Sequence, residues 1–132
     1  MKNDEKKELN QIGKTYSKPW GNYKTLLMEE NYQIKIITLE PGGKLSLQKH
    51  HHRCEHWIIV KGNLKVTKGK SETQKKENDY IFIEKEEVHR LENEGDKIAQ
   101  LVEIQYGEYL GEDDIIRIED KYGRLSNKNN EK

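Results

Sequence analysis

Four of the five histidines of this chain fall within seven residues, at positions 50, 51, 52 and 56. The same stretch holds Gln48 and Glu55, and the fifth histidine, His89, follows much later. Imidazole nitrogens combined with carboxylate and amide oxygens, without a thiolate, suit a divalent cation such as zinc, manganese, iron, cobalt or nickel. The first chemistry that these residue types indicate is therefore metal binding.

Two short strands joined by a turn can position these side chains. Because side chains alternate along a strand, Gln48 and His50 share one face of a strand that ends near residue 50. A second strand that begins near Glu55 can direct this carboxylate to the same point. His89, on a later strand, can supply a fourth ligand.

A histidine triplet by itself is more often a solvated turn or an adventitious metal site. Here the triplet lies between two strand patterns and follows a Pro-Gly-Gly turn, which favours a built site. The set of candidate ligands does not need the other three histidines, His51, His52 and His56. Of these, His52 is the best reserve ligand, because it lies two residues after His50 and so has the same place in the strand alternation. Cys54 is interpreted as a small packed residue.

The rest of the chain predicts an all-β fold. Short apolar or alternating runs occur at residues 32–39, 57–60, 64–67 and 101–106, and turn signals such as Gly62-Asn63 separate them. The continuous run at 57–60 predicts a strand covered on both faces. About eight to ten strands of this spacing indicate a sandwich or a small barrel, and the spacing leaves both open. Residues 111–120 fit either a strand or one helical turn.

The composition sets the broad class. The chain has 132 residues, 32% hydrophobic and 36% charged, with a formal net charge of zero, so we expect no general attraction to nucleic acid or to a membrane surface. A single cysteine excludes an intramolecular disulfide framework. We expect a cytoplasmic protein with a charged tail at 1–13, one domain at 14–125 and a polar tail at 126–132.

Motifs along residues 18–124 carry a family resemblance. Glu55 followed by Gly62 matches the first cupin motif, and His89 with Asn93 matches the end of the second. Further matches are Pro19-Trp20-Gly21, the stretch from Leu45 to Trp57, the stretch from Glu103 to Arg117, and Tyr122-Gly123-Arg124. The chain resembles the C-terminal cupin domain of type II mannose-6-phosphate isomerase / mannose-1-phosphate guanylyltransferase proteins. The resemblance implies a double-stranded β-helix, a jelly-roll barrel.

Three features depart from the pattern of that family. Glu84 and Glu86 stand where the second motif usually has proline and glycine, and Lys18 stands where arginine usually precedes Pro-Trp-Gly. The sequence contains no glycine-rich nucleotide loop, so we expect no guanylyltransferase activity from it.

The resemblance implies a metal-dependent mannose-6-phosphate isomerase. It would interconvert mannose 6-phosphate and fructose 6-phosphate through an enediol, in sugar-nucleotide and polysaccharide precursor synthesis. The metal ligands would be Gln48, His50, Glu55 and His89, with zinc as the first choice and manganese, cobalt, nickel or iron as alternatives. The first alternative is a non-catalytic cupin that binds a sugar or sugar nucleotide beside a separate guanylyltransferase. The second is an iron dioxygenase, which the glutamine at position 48 disfavours.

Arginine is scarce in this chain, with four arginines against 20 lysines. Since arginine binds phosphate through a rigid bidentate fork, we expect Arg124 to be a catalytic or substrate-facing cation and Arg53 to bind substrate. Arg90 is expected to face away from the site.

Three further residues are candidates for the pocket. Glu103 is predicted to be catalytic, and Gln105 and Lys35 to bind substrate, although all three could instead face solvent. The general base stays undetermined. A homodimer is expected because small cupins expose strand edges.

Overall fold

The structure is a computed structural model that describes residues 9–124. Within this range it contains eleven strands and no helix, which confirms the all-β prediction. The strands are β1 (Thr15–Lys18), β2 (Gly21–Met28), β3 (Tyr32–Leu39), β4 (Leu47–Lys49), β5 (Arg53–Lys61), β6 (Leu64–Lys68), β7 (Ser71–Lys75), β8 (Tyr80–Ile83), β9 (His89–Glu92), β10 (Ala99–Gly107) and β11 (Ile116–Glu119). Most of both predicted tails lies outside the described residues.

The strands form two antiparallel sheets that face each other. The larger sheet has the order β1-β2-β3-β10-β5-β8, and the smaller has the order β11-β4-β9-β6-β7. One cluster of buried side chains drawn from both sheets fills the space between them. Its members are Trp20, Tyr23, Ile37, Leu39, Trp57, Ile59, Leu64, Val66, Ile81, Ile83, Leu91, Ala99 and Leu101.

The inner face of the larger sheet changes from polar to apolar along its strands. The register of β5 against β10 pairs Glu55 with Gln105 near one end and Ile59 with Leu101 near the other. β3 follows the same gradient, because Lys35 is buried on the same face as the core residues of that strand. The barrel is therefore a hydrophobic core at one end and a polar pocket at the other.

The hairpin between β5 and β6 agrees with the sequence pattern. Gly62 has φ of +76°, a conformation that glycine adopts without the steric cost that a Cβ brings. The prediction that residues 57–60 are covered on both faces is wrong within the described chain. Trp57 and Ile59 are buried, but Ile58 is 40% exposed and Val60 is 46% exposed on the outer face.

For residues 111–120 the sequence allowed either a strand or one helical turn. The structure has a turn there, followed by β11. This strand pairs with β4, the strand that carries Gln48, and so closes the smaller sheet at its edge. Within the described residues, no helix has the length and apolar character needed to cross a membrane.

Candidate metal centre and its pocket

His50, Glu55 and His89 converge at the polar end of the barrel. One donor atom from each lies within 4.8 Å of the others, and all three residues are buried. The Nε2 atom of His50 lies 3.2 Å from Glu55 Oε2, and the Nε2 atom of His89 lies 4.0 Å from Glu55 Oε1. The turn between β4 and β5 and the start of β9 bring them together, as the strand alternation predicted.

Backbone carbonyls hold both imidazoles in one tautomer. His50 Nδ1 lies 2.6 Å from the carbonyl oxygen of Asp114, and His89 Nδ1 lies 2.8 Å from that of Glu87. A carbonyl oxygen only accepts, so each Nδ1 carries the hydrogen and each Nε2 presents a lone pair to Glu55. Outer hydrogen bonds of this kind orient the histidine ligands of metal sites.

Burial keeps these imidazoles neutral. It lowers the pKa of His50 to about 4 against the opposing attraction of Glu55, and it lowers the pKa of His89 as well. A neutral imidazole is the form that binds a metal. The donor set, two neutral imidazoles and one carboxylate, therefore fits a divalent cation of the zinc type.

Gln48 lies beside this set, since its Cα is paired with that of His89 across β4 and β9. Its amide nitrogen donates to the Oγ of Ser46 at 2.9 Å. This bond leaves the amide oxygen as the atom that Gln48 can offer to a cation.

Arg53 points into the barrel, not out of it. Its Nε donates to Glu55 Oε2 at 2.9 Å, and its Nη2 lies 3.4 Å from His50 Nε2. Burial opposes ionisation of Glu55, but the nearby His50 and Arg53 more than offset it and hold the pKa of Glu55 well below its usual range. Of these two, Arg53 is the one that stays charged at neutral pH, so we assign the effect chiefly to it. A bound metal would compete with Arg53 for these ligand atoms.

Glu103 lies next to this centre in surroundings that favour its protonated form. Burial, and then the charge of Glu55, raise the pKa of Glu103 well above its usual range. The Trp57 indole nitrogen donates to both carboxyl groups, and Gln105 donates to Glu103 Oε1 at 3.0 Å. Both Glu103 and Gln105 thus face the pocket, which settles the orientation that the sequence left open.

Lys35 is 4% exposed and faces inward, against the usual expectation for a strand lysine. Its Nζ lies 2.9 Å from Glu112 Oε2 and 4.1 Å from the centre of the Tyr23 ring. Burial resists ionisation of Glu112, but Lys35 and then Arg53 lower the pKa of Glu112 to about 2. The pair is therefore ionic at neutral pH.

All nine residues predicted for the site line one cavity between the sheets. Arg124 lies on its rim and bonds both carboxylate oxygens of Asp120, at 2.9 and 3.0 Å. Arg90 is buried, and its Nη1 pairs with Glu119 at 2.9 Å. The roles of these residues in binding and catalysis stay predictions.

The surplus histidines do not reach the centre. His51 and His52 are exposed and pair with Glu86 and Glu108, which removes His52 as a reserve ligand. His56 lies on the outer face of the larger sheet, 2.6 Å from the Tyr80 hydroxyl.

Sequence reasoning missed Asp114, which organises the turn that carries the triplet. Its carboxylate accepts the backbone N–H groups of His51 and His52 at 2.9 and 3.0 Å. The only signal in the sequence was its place in the matched stretch from Glu103 to Arg117. That stretch also contains two more cavity residues, Glu112, to which no role was given, and Arg117, which was considered only as one of the four scarce arginines.

Comparison with known proteins agrees with this geometry. A family model described as "Mannose-6-phosphate isomerase C-terminal" matches residues 4–120. The xanthan biosynthesis protein XanB of Xanthomonas campestris is 50% identical over 107 residues, which cover 81% of this chain and 23% of XanB. The alginate biosynthesis protein AlgA of Pseudomonas aeruginosa is 49% identical over 109 residues, or 83% of this chain and 23% of AlgA.

Solved structures share the fold. A predicted oxalate decarboxylase from Thermotoga maritima superimposes with a TM-score of 0.65 at 19% identity, over 73% of this chain and 92% of that one. A protein with a double-stranded β-helix domain from Klebsiella pneumoniae gives a TM-score of 0.65 at 16% identity, over 88% of this chain and 95% of that one. These likenesses confirm the predicted cupin barrel.

The predicted function needs correction. The chain spans about a quarter of the length of the curated relatives it matches. One of them, RfbM of Salmonella typhimurium, is a mannose-1-phosphate guanylyltransferase, 43% identical over 93% of this chain but only 26% of RfbM. The prediction of a mannose-6-phosphate isomerase is therefore wrong as a description of this chain. The alternative placed the guanylyltransferase on a separate chain, whereas in RfbM the matched region belongs to the guanylyltransferase chain itself.

The matched residues and the identities nevertheless establish the family. The family model matches most of the chain. Relatives that are about 50% identical to it align with about four fifths of its residues. This chain belongs to the mannose-6-phosphate isomerase C-terminal family of cupin domains.

Proposed function

We propose that this chain is a metal-dependent sugar-phosphate isomerase domain that works as one part of a larger sugar-nucleotide enzyme. The observation that carries the proposal is the convergence of His50, Glu55 and His89, with both Nδ1 atoms held by carbonyls and both Nε2 atoms aimed at one carboxylate. The names of the relatives, which refer to xanthan, alginate and guanylyl transfer, support a place in polysaccharide precursor synthesis.

Gln48, His50, Glu55 and His89 are the residues that would hold the cation, with zinc as the first choice and manganese, cobalt, nickel or iron as alternatives. When bound, a divalent cation supplies Lewis acidity toward the carbonyl and hydroxyl oxygens of a sugar. The carbonyl acceptors of His50 and His89 and the Ser46 contact of Gln48 hold three of these side chains in place, and Arg53 and Trp57 hold Glu55.

The chain's own charged groups would do the remaining work. Burial and the charge of Glu55 raise the pKa of Glu103, so this residue can hold a proton beside the ligand set and donate it to a substrate oxygen, which is the catalytic role predicted for it. Lys35 and Gln105 line the same cavity and can bind sugar hydroxyl groups, and Arg53 can bind substrate next to Glu55. Arg124, on the rim, can contact the charged end of the substrate. The homodimer and the cytoplasmic location stay predictions.

The test uses proton exchange, because isomerisation through an enediol exposes the C2 hydrogen of an aldose phosphate to solvent. The chain would replace the matched region of RfbM, and the hybrid would be loaded with zinc, manganese or cobalt. A panel of aldose and ketose 6-phosphates in heavy water would be followed by NMR. We expect metal-dependent deuterium incorporation at C2, lost in His50→Ala and retained in Lys61→Gln.

Guanylyl transfer by the same hybrid is the internal control for folding. A hybrid that binds metal and transfers guanylyl groups, yet exchanges no proton on any sugar phosphate of the panel, would contradict the proposal.

A further inference from the structure

Arg117 enters the pocket from the edge of the smaller sheet. It lies on β11, and its Cα is paired with that of Gln48 on β4. Cross-strand partners in an antiparallel pair project to the same side, so Arg117 points inward with Gln48. Its neighbours Ile116 and Ile118 are exposed on the outer side, as the alternation requires.

The Nε atom of Arg117 is buried and has no hydrogen-bond partner. It is the one buried side-chain nitrogen or oxygen in this condition among residues 9–124. Buried polar groups are almost always paired, because an unpaired one loses its bonds to water without replacement. A charged donor left without an acceptor therefore indicates that an acceptor from outside the described residues belongs there.

The other three arginines are neutralised within the chain. Arg53, Arg90 and Arg124 each form an ion pair of 2.9 Å with a carboxylate. No carboxylate of the described residues forms such a pair with Arg117. Among the described residues, Arg117 is thus the arginine whose positive charge no carboxylate pairs with, and it lines the cavity.

The charges around Arg117 favour an anion. Burial and then the neighbouring Arg124 lower the pKa of Arg117, against the weaker attraction of Asp120 and Glu112. The carboxylate of Asp120 is already bound on both oxygens by Arg124. Lys18 lines the same cavity and adds a further positive charge.

These cations mark the mouth of the cavity. The metal-binding side chains are buried at its floor, whereas Arg124 is 22% exposed, Arg117 is half-buried and Lys18 is exposed. A substrate with an anionic end and a neutral sugar end would therefore enter sugar first. Its charged end would stay near Arg117.

We infer that Arg117, assisted by Arg124, binds the phosphoryl group of the sugar phosphate at the mouth of the cavity. The inference deepens the proposed function and rests on it, because it names where the substrate's phosphate lies. A phosphoryl group offers several acceptor oxygens in the geometry that the Nε–H and Nη–H fork of arginine matches. It would supply the acceptor that Nε lacks.

The test follows the Arg117 Nε–H resonance in nitrogen–proton NMR spectra while inorganic phosphate is titrated into the metal-loaded chain. We expect this resonance to shift with saturation, and Arg117→Gln to weaken phosphate binding about 10- to 100-fold. Arg117→Lys keeps the positive charge but not the forked guanidinium. Its affinity for phosphate should lie between that of the parent and that of Arg117→Gln. Lys61→Gln removes one exposed charge outside the cavity and should change the affinity less than about twofold.

Cobalt binding, read from its visible absorption, shows whether each variant keeps a folded ligand set. An unshifted Nε–H resonance, or equal phosphate affinity in Arg117→Gln with cobalt bound, overturns the inference. Phosphate binding at Arg117 without proton exchange on any sugar phosphate leaves this site standing and removes the isomerase proposal. Proton exchange with KM unchanged in Arg117→Gln removes the site and leaves the isomerase.

Discussion

Glu55 and Glu103 share one hydrogen-bond donor, the indole nitrogen of Trp57, which lies 3.0 Å from Glu55 Oε1 and 3.2 Å from Glu103 Oε2. Two buried carboxyl groups so close together cannot both be ionised at neutral pH without a large electrostatic cost. Arg53 binds Glu55 directly, so the negative charge resides on Glu55 and the proton on Glu103. The surroundings thus favour an ionised Glu55 beside a protonated Glu103.

Replacing Glu103 should separate its shape from its charge. Glu103→Gln keeps the size and one carbonyl acceptor, and should lower the free energy of unfolding of the metal-free protein by about 1 kcal/mol or less. Glu103→Leu leaves the amide donor of Gln105 buried without this acceptor, while Trp57 still donates to Glu55, and should cost about 2–3 kcal/mol. Urea denaturation at pH 7 measures both values. If the glutamine variant is as unstable as the leucine variant, Glu103 is ionised in the native protein.

Asp114 should act as a positioning residue for the metal centre. Its carboxylate holds the backbone of His51 and His52, and its carbonyl receives the His50 Nδ1 hydrogen. Asp114→Ala should loosen this turn and weaken zinc binding about 10- to 100-fold without removing a ligand. Competition with a chromophoric chelator gives the affinity.

Asp113→Ala is the matched control, because this neighbouring carboxylate is exposed and contacts Tyr109 instead of the histidine turn. Zinc affinity should stay within about threefold of the parent in this variant, since it loses only an exposed interaction. A loss of similar size in both variants would mean that negative charge near the site, not the positioning of the turn, sets the affinity.

The strands and the convergence of the four candidate ligands were predictable because both depend on local alternation. Gln48 and His50 share a strand face at a spacing of two, and the turn to Glu55 is short, so few arrangements were possible. His89 could be added because a strand pattern follows it. The long-range pairing of β4 with β9 then brings it into place.

The inward direction of β3 and β10 could not be predicted from alternation. Toward one end, both strands carry isoleucine or valine on one face and polar residues on the other, and the usual rule places the apolar face inside. Here the rule fails at the polar end, where Lys35 and Glu103 are buried while Ile104 is exposed. The direction depends on the charged partners Glu112 and Arg53, which come from distant parts of the chain.

The Lys35–Glu112 pair should make stability fall in acid. The pKa of Glu112 is about 2 in the fold and near 4.5 when unfolded, so its contribution is complete above pH 4.5 or so and disappears as the pH falls toward 2. Glu112→Gln should lose about 1–2 kcal/mol at pH 7, a value reduced for the 31% exposure of this side chain. The parent and the variant should converge near pH 2.

Urea denaturation at pH 7, 5 and 3 tests this linkage. Glu108→Gln, which removes an exposed carboxylate that pairs with exposed His52, should show a much smaller difference at every pH. A stability difference for Glu112→Gln that is equal at pH 7 and pH 3 would show that the lost interaction is not ionic.

Glu86 occupies a backbone conformation that suits glycine, the residue that the second cupin motif usually has there. Its φ is +67°, in the left-handed region, and its N–H donates to the carbonyl of His50 at 2.8 Å, so the turn is fixed by the site. Glu86→Gly and Glu86→Ala both remove the carboxylate that contacts His51, but only alanine keeps the steric cost of a Cβ at positive φ. We therefore expect the glycine variant to melt about 3–5 °C above the alanine variant in calorimetry. Equal melting temperatures would show that the turn relaxes to negative φ in solution.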